Sequence, residues 1–276
     1  MRILIASNST KHASSALESG ILLAKKTKAK LGVVHVAPKM NDRQRGKDHL
    51  ATVAERLAEV GLEAKPFLRV GYPAEQIVHL ANEEGFDLVV LGEGSPESLL
   101  RRVLAPTAER VIANAPCPVL IARGELTAAD HFLICHSGQQ GLETIRRFLK
   151  HDAKLINKKS TVTLLHVMSQ IGAGYRVSDW QLQAEAAEMI KEHTLEGEWL
   201  AEGLADLKNE TKVEAVPKVR HGLVVEEILD EVRMGEYDIV VLGAHRRGGW
   251  GDILVDDIAK QVIARVKGPV LVVNSG

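Results

Sequence analysis

A glycine-rich, basic stretch in the last part of the chain has the residue types best suited to binding an anion. Glycines let backbone amides approach a phosphate closely, and arginines donate paired hydrogen bonds to its oxygens. A surface loop with solvated arginines has the same composition, and this plainer interpretation is the favoured one. The stretch reads His245-Arg246-Arg247-Gly248-Gly249-Trp250-Gly251.

Histidines offer metal or acid–base chemistry, but their spacing predicts no dedicated site of either kind. His131 and His136 bound one apolar run, and residues five apart on a strand point to opposite faces. His35 and His166 stand in similar apolar runs, which favours structural roles. The chain contains no Cys-x-x-Cys, His-Glu-x-x-His, Gly-x-Ser-x-Gly or Walker A lysine motif. We therefore predict no metal site and no catalytic residue, and keep enzymatic activity as the less favoured alternative.

The composition is that of a globular protein long enough for two domains. The chain has 276 residues, of which 45% are hydrophobic and 26% charged, and its formal net charge is -1. This near-neutral balance disfavours a nucleic acid or an anionic membrane surface as partner. No apolar run reaches the ~18 residues of a membrane span, and the first residues look like a strand rather than a signal peptide. Cys117 and Cys135 are predicted to be buried thiols in a cytoplasmic protein.

One α/β unit occurs twice in the chain. Residues 69–122 align with residues 220–273 at a constant offset of 151 and without a gap. The match is clearest between Asp87–Gly92 and Asp238–Gly243, which both read Asp, an apolar residue, Val, Val, Leu and Gly. Earlier in each half the offset is about 130, so the second copy carries about twenty extra residues after its second strand. We predict two domains, 1–124 and 130–276, joined by a short linker.

Each copy follows the order β-α-β-α-β-α-β-α-β. Continuous apolar strands that alternate with helices predict a five-stranded parallel sheet covered on both faces, in a doubly wound α/β fold. In the first copy the predicted strands are residues 3–7, 31–37, 65–70, 87–91 and 117–122, and the predicted helices are residues 9–28, 42–60, 73–84 and 105–114.

The extra residues of the second copy predict one long helix near Ser178–Leu207. Ser178 and Gln181 have the spacing of a capping box at its start. Its apolar positions favour packing on the sheet of its own copy, and a partner-binding face is the alternative.

Both copies resemble the universal stress protein family over nearly their whole length. The resemblance rests on the opening strand 3–9, the second strands 31–36 and 162–167, and the helix entry 71–77. Its strongest match is Ala108–Val111 followed by Ala115–Leu120. Five motifs in order, occurring twice, make the resemblance specific. It implies the same doubly wound fold and a role in the stress response.

The resemblance also implies how the two copies meet. Members of the family commonly dimerise, often through the last strand, and tandem members place their copies as an internal pseudo-dimer. Residues 117–122 and 269–273 would then lie at the contact between the copies. A terminal apolar strand at a sheet edge is a natural place for strand addition. The resemblance further implies a homo-oligomer.

Some members of the family bind ATP and share the pattern Gly-x2-Gly-x9-Gly-Ser/Thr, in which amides at a helix N-terminus hold the phosphates. In the first copy Gly92 matches the first glycine, while Ser95, Ala105 and Pro106 replace the later residues. Proline has no amide hydrogen, so one phosphate donor is lost. Asn8 stands where the binders have an acidic residue for the ribose, and it lacks the charge.

The second copy departs from the pattern in another way. Gly243 matches the first glycine and Arg246 the second, while Asp256 and Asp257 occupy the Gly-Ser positions. Two carboxylates there would cap the helix themselves and repel a triphosphate. Ser137 stands at the acidic position.

These departures predict the loss of high-affinity ATP binding in both copies. The favoured function is a non-enzymatic stress-response protein that acts through protein contacts, with no certain cofactor. The alternatives are an ATP- or AMP-binding sensor, with or without slow ATP hydrolysis, and, ranked last, an adenylate-using enzyme. If a nucleotide binds, the residues expected to contact it are Ala6, Asn8, Val36, Gly92 and Ser95 in the first copy and Ser137, Val167, Gly243, His245, Arg247 and Gly248 in the second.

Overall fold

The computed structural model describes residues 1–8, 13–92, 105–169, 183–244 and 257–274. The first half contains β1 (Arg2–Ala6), α1 (Ala13–Thr27), β2 (Lys30–Ala37), α2 (Arg43–Glu59), β3 (Ala64–Val70), α3 (Pro73–Glu83), β4 (Leu88–Gly92), α4 (Pro106–Asn114) and β5 (Val119–Ala122). The second half contains β6 (His131–His136), α5 (Gly138–Asp152), β7 (Thr161–Ser169), α6 (Ala186–Lys191), α7 (Leu195–Thr211), β8 (Val216–Gly222), α8 (Val224–Met234), β9 (Ile239–Ala244), α9 (Asp257–Arg265) and β10 (Val270–Asn274).

The ten strands form one sheet in the order β3-β2-β1-β4-β5-β10-β9-β6-β7-β8. Neighbouring strands are parallel within each half, whereas β5 and β10 are antiparallel, with Leu120 opposite Leu271. This topology confirms the predicted doubly wound α/β fold and the implied contact between the two last strands. Because the halves run in opposite directions, the carboxyl ends of their strands lie at opposite edges of the sheet.

Helices cover both faces of the sheet, so the apolar residues of the strands are buried on both sides. One large buried cluster joins the sheet to α1, α2, α5 and α7, and the other joins it to α3, α4, α8 and α9. Alternate strand residues belong to alternate clusters, as Leu4 does relative to Ile3 and Ile5. Among the described residues, no helix is long and apolar enough to cross a membrane.

The single long helix predicted near Ser178–Leu207 is wrong. The described part of this segment forms two helices, α6 and α7, with a turn between them at residues 192–194. His193 adopts the left-handed conformation, with φ of 53°, and Thr194 Oγ1 accepts a hydrogen bond from Gly197 N at 3.0 Å. This N-cap starts a new helix. The apolar spacing continues across the turn, which is why the pattern predicted one helix.

Three smaller predictions concern the ends of elements. The last strand of the first half begins at Val119, so Cys117 precedes the strand and is not part of it. The capping box predicted for Ser178 and Gln181 lies outside the described residues, as does the start of the predicted helix 9–28. A capping box does occur at Glu185, directly before α6.

Buried hydrogen bonds tie the two halves together beside the β5–β10 pair. Arg123 follows β5 and donates from Nη1 to the carbonyl oxygens of Ile263 and Val266, at 2.6 Å to Val266. Asn274 stands at the matched position of the repeat and donates from Nδ2 to the carbonyl oxygen of Ala115 at 3.2 Å. Each half therefore places a polar side chain against the end of the other half's last helix.

The two outer strands carry prolines at matched positions. Pro66 lies within β3 and Pro217 within β8, each beside a lysine. Proline cannot donate a ladder hydrogen bond, and charge on an edge strand also opposes pairing. Both edges of the sheet therefore disfavour the addition of another strand.

The two thiols are expected to be unreactive in the folded protein. Cys117 is fully buried, and burial raises the pKa of its thiol. Cys135 is half-buried rather than buried as predicted, but the burial of its thiol, with Glu231 nearby, raises its pKa to about 12. Because only the thiolate reacts, we expect Ellman's reagent to label the native protein at least ~100-fold more slowly than the urea-unfolded protein. Rapid labelling of the native protein would contradict this prediction.

Candidate functional site

The two candidate clefts lie where the chain changes its direction of travel across the sheet. In the first half β1 lies between β2 and β4. The connection that leaves β1 leads to β2 on one side, whereas the connection that leaves β4 leads to β5 on the other side. In the second half β6 and β9 have the same relationship. Doubly wound sheets bind ligands at such points, outside the carboxyl ends of the strands.

The first cleft places four of its five predicted residues at one edge of the sheet. Ala6 ends β1 and Gly92 ends β4, and these two strands pair directly. Val36 lies on β2, and its side chain packs on the same face of the sheet as that of Ala6. Asn8 follows β1 and is exposed. Ser95 lies outside the described residues.

The second cleft repeats this arrangement at the opposite edge. Ser137 follows β6 and is exposed, Val167 is half-buried on β7, and Gly243 is half-buried on β9. The other predicted residues of this cleft lie outside the described residues, so the basic loop stays a prediction; they are His245, Arg247 and Gly248.

Close packing alone accounts for the glycine at position 243. A Cβ atom there would lie 2.4 Å from Thr144 Oγ1, and Thr144 is buried on α5. Helix α5 therefore approaches β9 too closely for a side chain at this position. Gly243 would be required for the fold even if no phosphate bound, so its match to the nucleotide pattern carries little weight.

The two helices that would receive the phosphates begin with unfavourable residues. Helix α4 begins at Pro106, which removes one of the free amides of its first turn. Helix α9 begins at Asp257, whose carboxylate lies at the positive end of the helix dipole, where it competes with a bound anion.

A polar cluster on the other face of the sheet was not predicted. In the first half Ser7 Oγ lies 2.9 Å from His49 Nε2, and His35 Nδ1 donates to the carbonyl oxygen of Ser7 at 3.1 Å. The ring centroids of His35 and His49 are 5.2 Å apart. Burial, with His35 nearby, lowers the pKa of His49. The available signal was a histidine repeated at the matched position of each second strand.

The second half has a related cluster built from more histidines. His166 Nδ1 donates to the carbonyl oxygen of His136 at 3.1 Å, and their ring centroids are 5.7 Å apart. Along β6, Phe132 and Ile134 belong to one large cluster and Leu133 to the other, so His131 and His136 lie on opposite faces, as predicted. His221 Nε2 donates to the carbonyl oxygen of Ala184 at 3.0 Å. In the described ranges, no three His, Cys, Asp or Glu side chains converge where they could hold a metal ion.

Comparison with known proteins decides the family. The profile described as the universal stress protein family matches residues 1–123 and 134–274. The chain belongs to the universal stress protein family. It is 26% identical to the universal stress protein YxiE of Bacillus subtilis over 145 residues, which are 44% of this chain and 98% of that protein. It is 36% identical to the universal stress protein MJ0531 of Methanocaldococcus jannaschii over 81 residues, 29% of this chain and 48% of that protein.

The alignment with MJ0531 thus spans about half the length of that relative.

Solved structures share the whole two-half fold of this universal stress protein. One is a universal stress protein from Archaeoglobus fulgidus, with a TM-score of 0.70 and 18% identity, covering 100% of this chain and 98% of that chain. Another is a Pseudomonas aeruginosa protein of unknown function, with a TM-score of 0.71 and 18% identity, covering 99% and 92%. At this level of identity the likeness shows the fold alone.

Proposed function

We propose that this universal stress protein is a non-enzymatic stress-response protein that acts through protein contacts, and that neither cleft retains high affinity for ATP. The observation that carries the proposal is the start of the two helices facing the clefts, at Pro106 and at Asp257. Pro106 removes a phosphate donor, and Asp257 puts a negative charge where a phosphate would lie.

The second candidate function is an adenine-nucleotide sensor that uses the first cleft. It is supported by the shared edge position of Ala6, Asn8, Val36 and Gly92. Asn8 is exposed there, and its side-chain oxygen can accept a hydrogen bond from a ribose hydroxyl. A monophosphate depends least on the amide that Pro106 lacks, so AMP suits this cleft better than ATP does.

Thermal unfolding with and without millimolar Mg-ATP, ADP and AMP separates the two functions. A ligand at ~100 times its dissociation constant adds about 2.7 kcal/mol to the free energy of unfolding, which raises Tm by several degrees. A protein with degenerate clefts shows no shift with any of the three. An upward shift with any of the three nucleotides would overturn the main proposal in favour of the sensor.

Variants that restore the family pattern show whether the argument from the helix starts is correct. The first pairs Ala105→Gly with Pro106→Ser, and the second pairs Asp256→Gly with Asp257→Ser. We expect at least one of them to gain a thermal shift with Mg-ATP. All three tryptophans lie in the second half, so their fluorescence follows that half, while circular dichroism follows both. If neither variant gains a shift, Pro106 and Asp257 are not what prevents binding.

We also propose that the protein works in the cytoplasm as a homo-oligomer. The two last strands already pair with each other, and Pro66 and Pro217 disfavour pairing at the outer strands. Self-association is therefore expected to use helix surfaces. Light scattering on the eluting peak of a sizing column measures the mass directly, and a monomeric mass at micromolar concentration would contradict the proposal.

A further inference from the structure

A buried polar cluster lies in the second half, on the face of the sheet opposite the side chain of Val167. It consists of His136 at the end of β6, His166 on β7, His221 on β8 and Glu196 in the first turn of α7. His136 is 4% exposed and His166 is 8% exposed. The cluster therefore lies in the interior, where charge is costly.

Several polar atoms of the cluster have no hydrogen-bond partner among the described residues. They are both ring nitrogens of His136, Nδ1 of His221 and Oε2 of Glu196. In the first half, Ser7 occupies the position that matches His136 in the repeat, and its hydroxyl group forms a hydrogen bond with His49. Since buried polar groups are normally paired, the deficit in the second half needs an explanation.

A short segment packs over the part of this cluster that lies on β7 and β8. We call residues 184–196 the lid segment; it comprises α6, the turn at residues 192–194 and the start of α7. At one end the carbonyl oxygen of Ala184 accepts the hydrogen bond from His221. At the other end the negative charge of Glu196 favours a proton on His166 and so raises its pKa. Solvent gains access to the imidazoles if this segment moves away.

The lid segment is held by few buried side chains. Ala184 and Met189 form, with Met168 of β7, a small apolar cluster separate from the two large ones. Ala186 belongs to one of the large clusters, and the partly buried Ile190 packs against it. A segment with so few buried contacts opens at a lower free energy than the core does.

Protonation of the histidines opposes the closed arrangement. Burial, with His166 nearby, lowers the pKa of His136 to about 4. Burial also lowers the pKa of His166, helped by His221, although the carbonyl oxygen of His136 and the carboxylate of Glu196 favour a proton there. Helix α5 places Gly141 against the ring of His136. Both imidazoles therefore bind protons more tightly when exposed, so acid favours the open state.

We propose that the lid segment is a proton-sensitive lid, packed while His136 and His166 are neutral and opened at mildly acidic pH to expose the carboxyl ends of β7 and β8. The ring nitrogens of His136 and His221 that lack partners among the described residues would then lower the free energy of opening the lid. This device does not depend on whether either cleft binds a nucleotide.

Hydrogen exchange measured by mass spectrometry on the full chain tests the lid. The reporting amides are those of Met189, Glu192 and Thr194, which bond to carbonyl oxygens within the segment. With a pKa of 6.5 when exposed and about 4 when buried, His136 alone raises the opening constant roughly 30-fold between about pH 7.5 and about pH 5. After correction for the chemical exchange rate, protection of the lid segment should fall by at least about tenfold, while that of α1 does not change.

Two variants and one matched control make the test specific. The double variant His136→Gln with His166→Gln should lose most of the pH dependence of lid protection. If the glutamines impair folding, His136→Ser, which introduces the residue found at this position in the first half, replaces the double variant in the test. His35→Gln alters the matched histidine of the first half and should leave the pH dependence of the lid intact. The proposal is overturned if protection of the lid segment does not change with pH, or if it falls as much in the histidine variants as in the wild type. It is also overturned if the protection of α1 falls together with that of the lid segment.

Discussion

Replacing Glu231 with alanine is expected to lower the free energy of unfolding by about 2–4 kcal/mol. Glu231 lies on α8 and is 1% exposed. Its carboxylate accepts hydrogen bonds from Lys218 Nζ at 2.8 Å, Tyr237 Oη at 2.6 Å and Arg220 Nη1 at 3.2 Å. Alanine would leave three donors without their shared acceptor. Lys218 is partly exposed and can regain water, which keeps the loss below that of a fully buried charge pair.

An ion pair on the surface of the same helix provides the control. Glu226 pairs with Arg265 through two hydrogen bonds, but its side chain is 45% exposed. Glu226→Ala should therefore change the free energy of unfolding by less than about 1 kcal/mol. Urea denaturation of both variants measures the difference. Equal losses would mean that the burial of Glu231 does not matter.

The first half suggests a variant that removes two of the three donors together with the carboxylate, while Arg220 keeps its hydrogen bond to Glu227. At the positions matching Glu231, Tyr237 and Lys218 it has Leu80, Phe86 and Phe67, whose two rings pack edge to face at 6.1 Å. A triple variant with Glu231→Leu, Tyr237→Phe and Lys218→Phe should regain at least half of the stability lost in Glu231→Ala. A triple variant as unstable as the single one would contradict this explanation.

The same network makes a pH-dependent contribution to stability. Burial by itself would raise the pKa of Glu231, but hydrogen bonds from Lys218, Tyr237 and Arg220 lower it overall, below its ordinary 4.5. The carboxylate therefore stabilises the fold fully above about pH 4.5, and this contribution is lost as the pH falls through the folded pKa. The stability difference between the wild type and Glu231→Ala should shrink below that pH. A constant difference would show that the charge of Glu231 is not involved.

The fold could be predicted because its signals are local and occur twice. Runs such as residues 88–91 and 239–242 are apolar throughout, which is the pattern of a strand buried on both faces. The constant offset between the halves then fixed the element order of the second half from that of the first. The break between α6 and α7 was missed because Thr194 acts as an N-cap inside an otherwise continuous apolar pattern.

The polar clusters could not be predicted because their members are distant in the chain. Glu231, Lys218 and Tyr237 each look like an ordinary surface residue in the sequence, and only the packing of α8 on β8 brings them together. His136 and His221 are likewise 85 residues apart, and neither forms a motif with its neighbours. The position of the candidate clefts at the sheet edges could be predicted, since residues at the ends of adjacent parallel strands must share an edge, while nucleotide contact by these residues stays a prediction.

Replacing Arg123 with alanine is expected to weaken the contact between the halves and to lower the free energy of unfolding by about 2–4 kcal/mol. Arg123 is 6% exposed, and its guanidinium group donates to the carbonyl oxygens of Ile263 and Val266. These carbonyls lie at the end of α9, where intrahelical partners are missing and a positive charge is favourable. Without the arginine they are left buried and without this donor.

The matched position in the other half gives the scale for this effect. Asn274→Ala removes one neutral hydrogen bond, to the carbonyl oxygen of Ala115, and should cost only about 0.5–1.5 kcal/mol. Arg123→Lys keeps the charge but not the several donors of the guanidinium group, so its loss of stability should lie between those of Arg123→Ala and Asn274→Ala. Denaturation midpoints of the three variants should follow that order. If Arg123→Ala loses no more stability than Asn274→Ala, the charge of Arg123 contributes nothing to the free energy of unfolding.

Hydrogen exchange then separates an effect on the contact between the halves from an effect on α9 alone. Among the described strands, the antiparallel pair of β5 and β10 is the only strand contact between the halves, with Val270 opposite Ile121 and Val272 opposite Val119. If Arg123 holds the halves together, its loss exposes the amides of these strands before those of β1, which lies deeper in the first half. If the amides of α9 exchange faster while β5 and β10 keep their protection, Arg123 acts as a cap on that helix, and the strand pair joins the halves by itself.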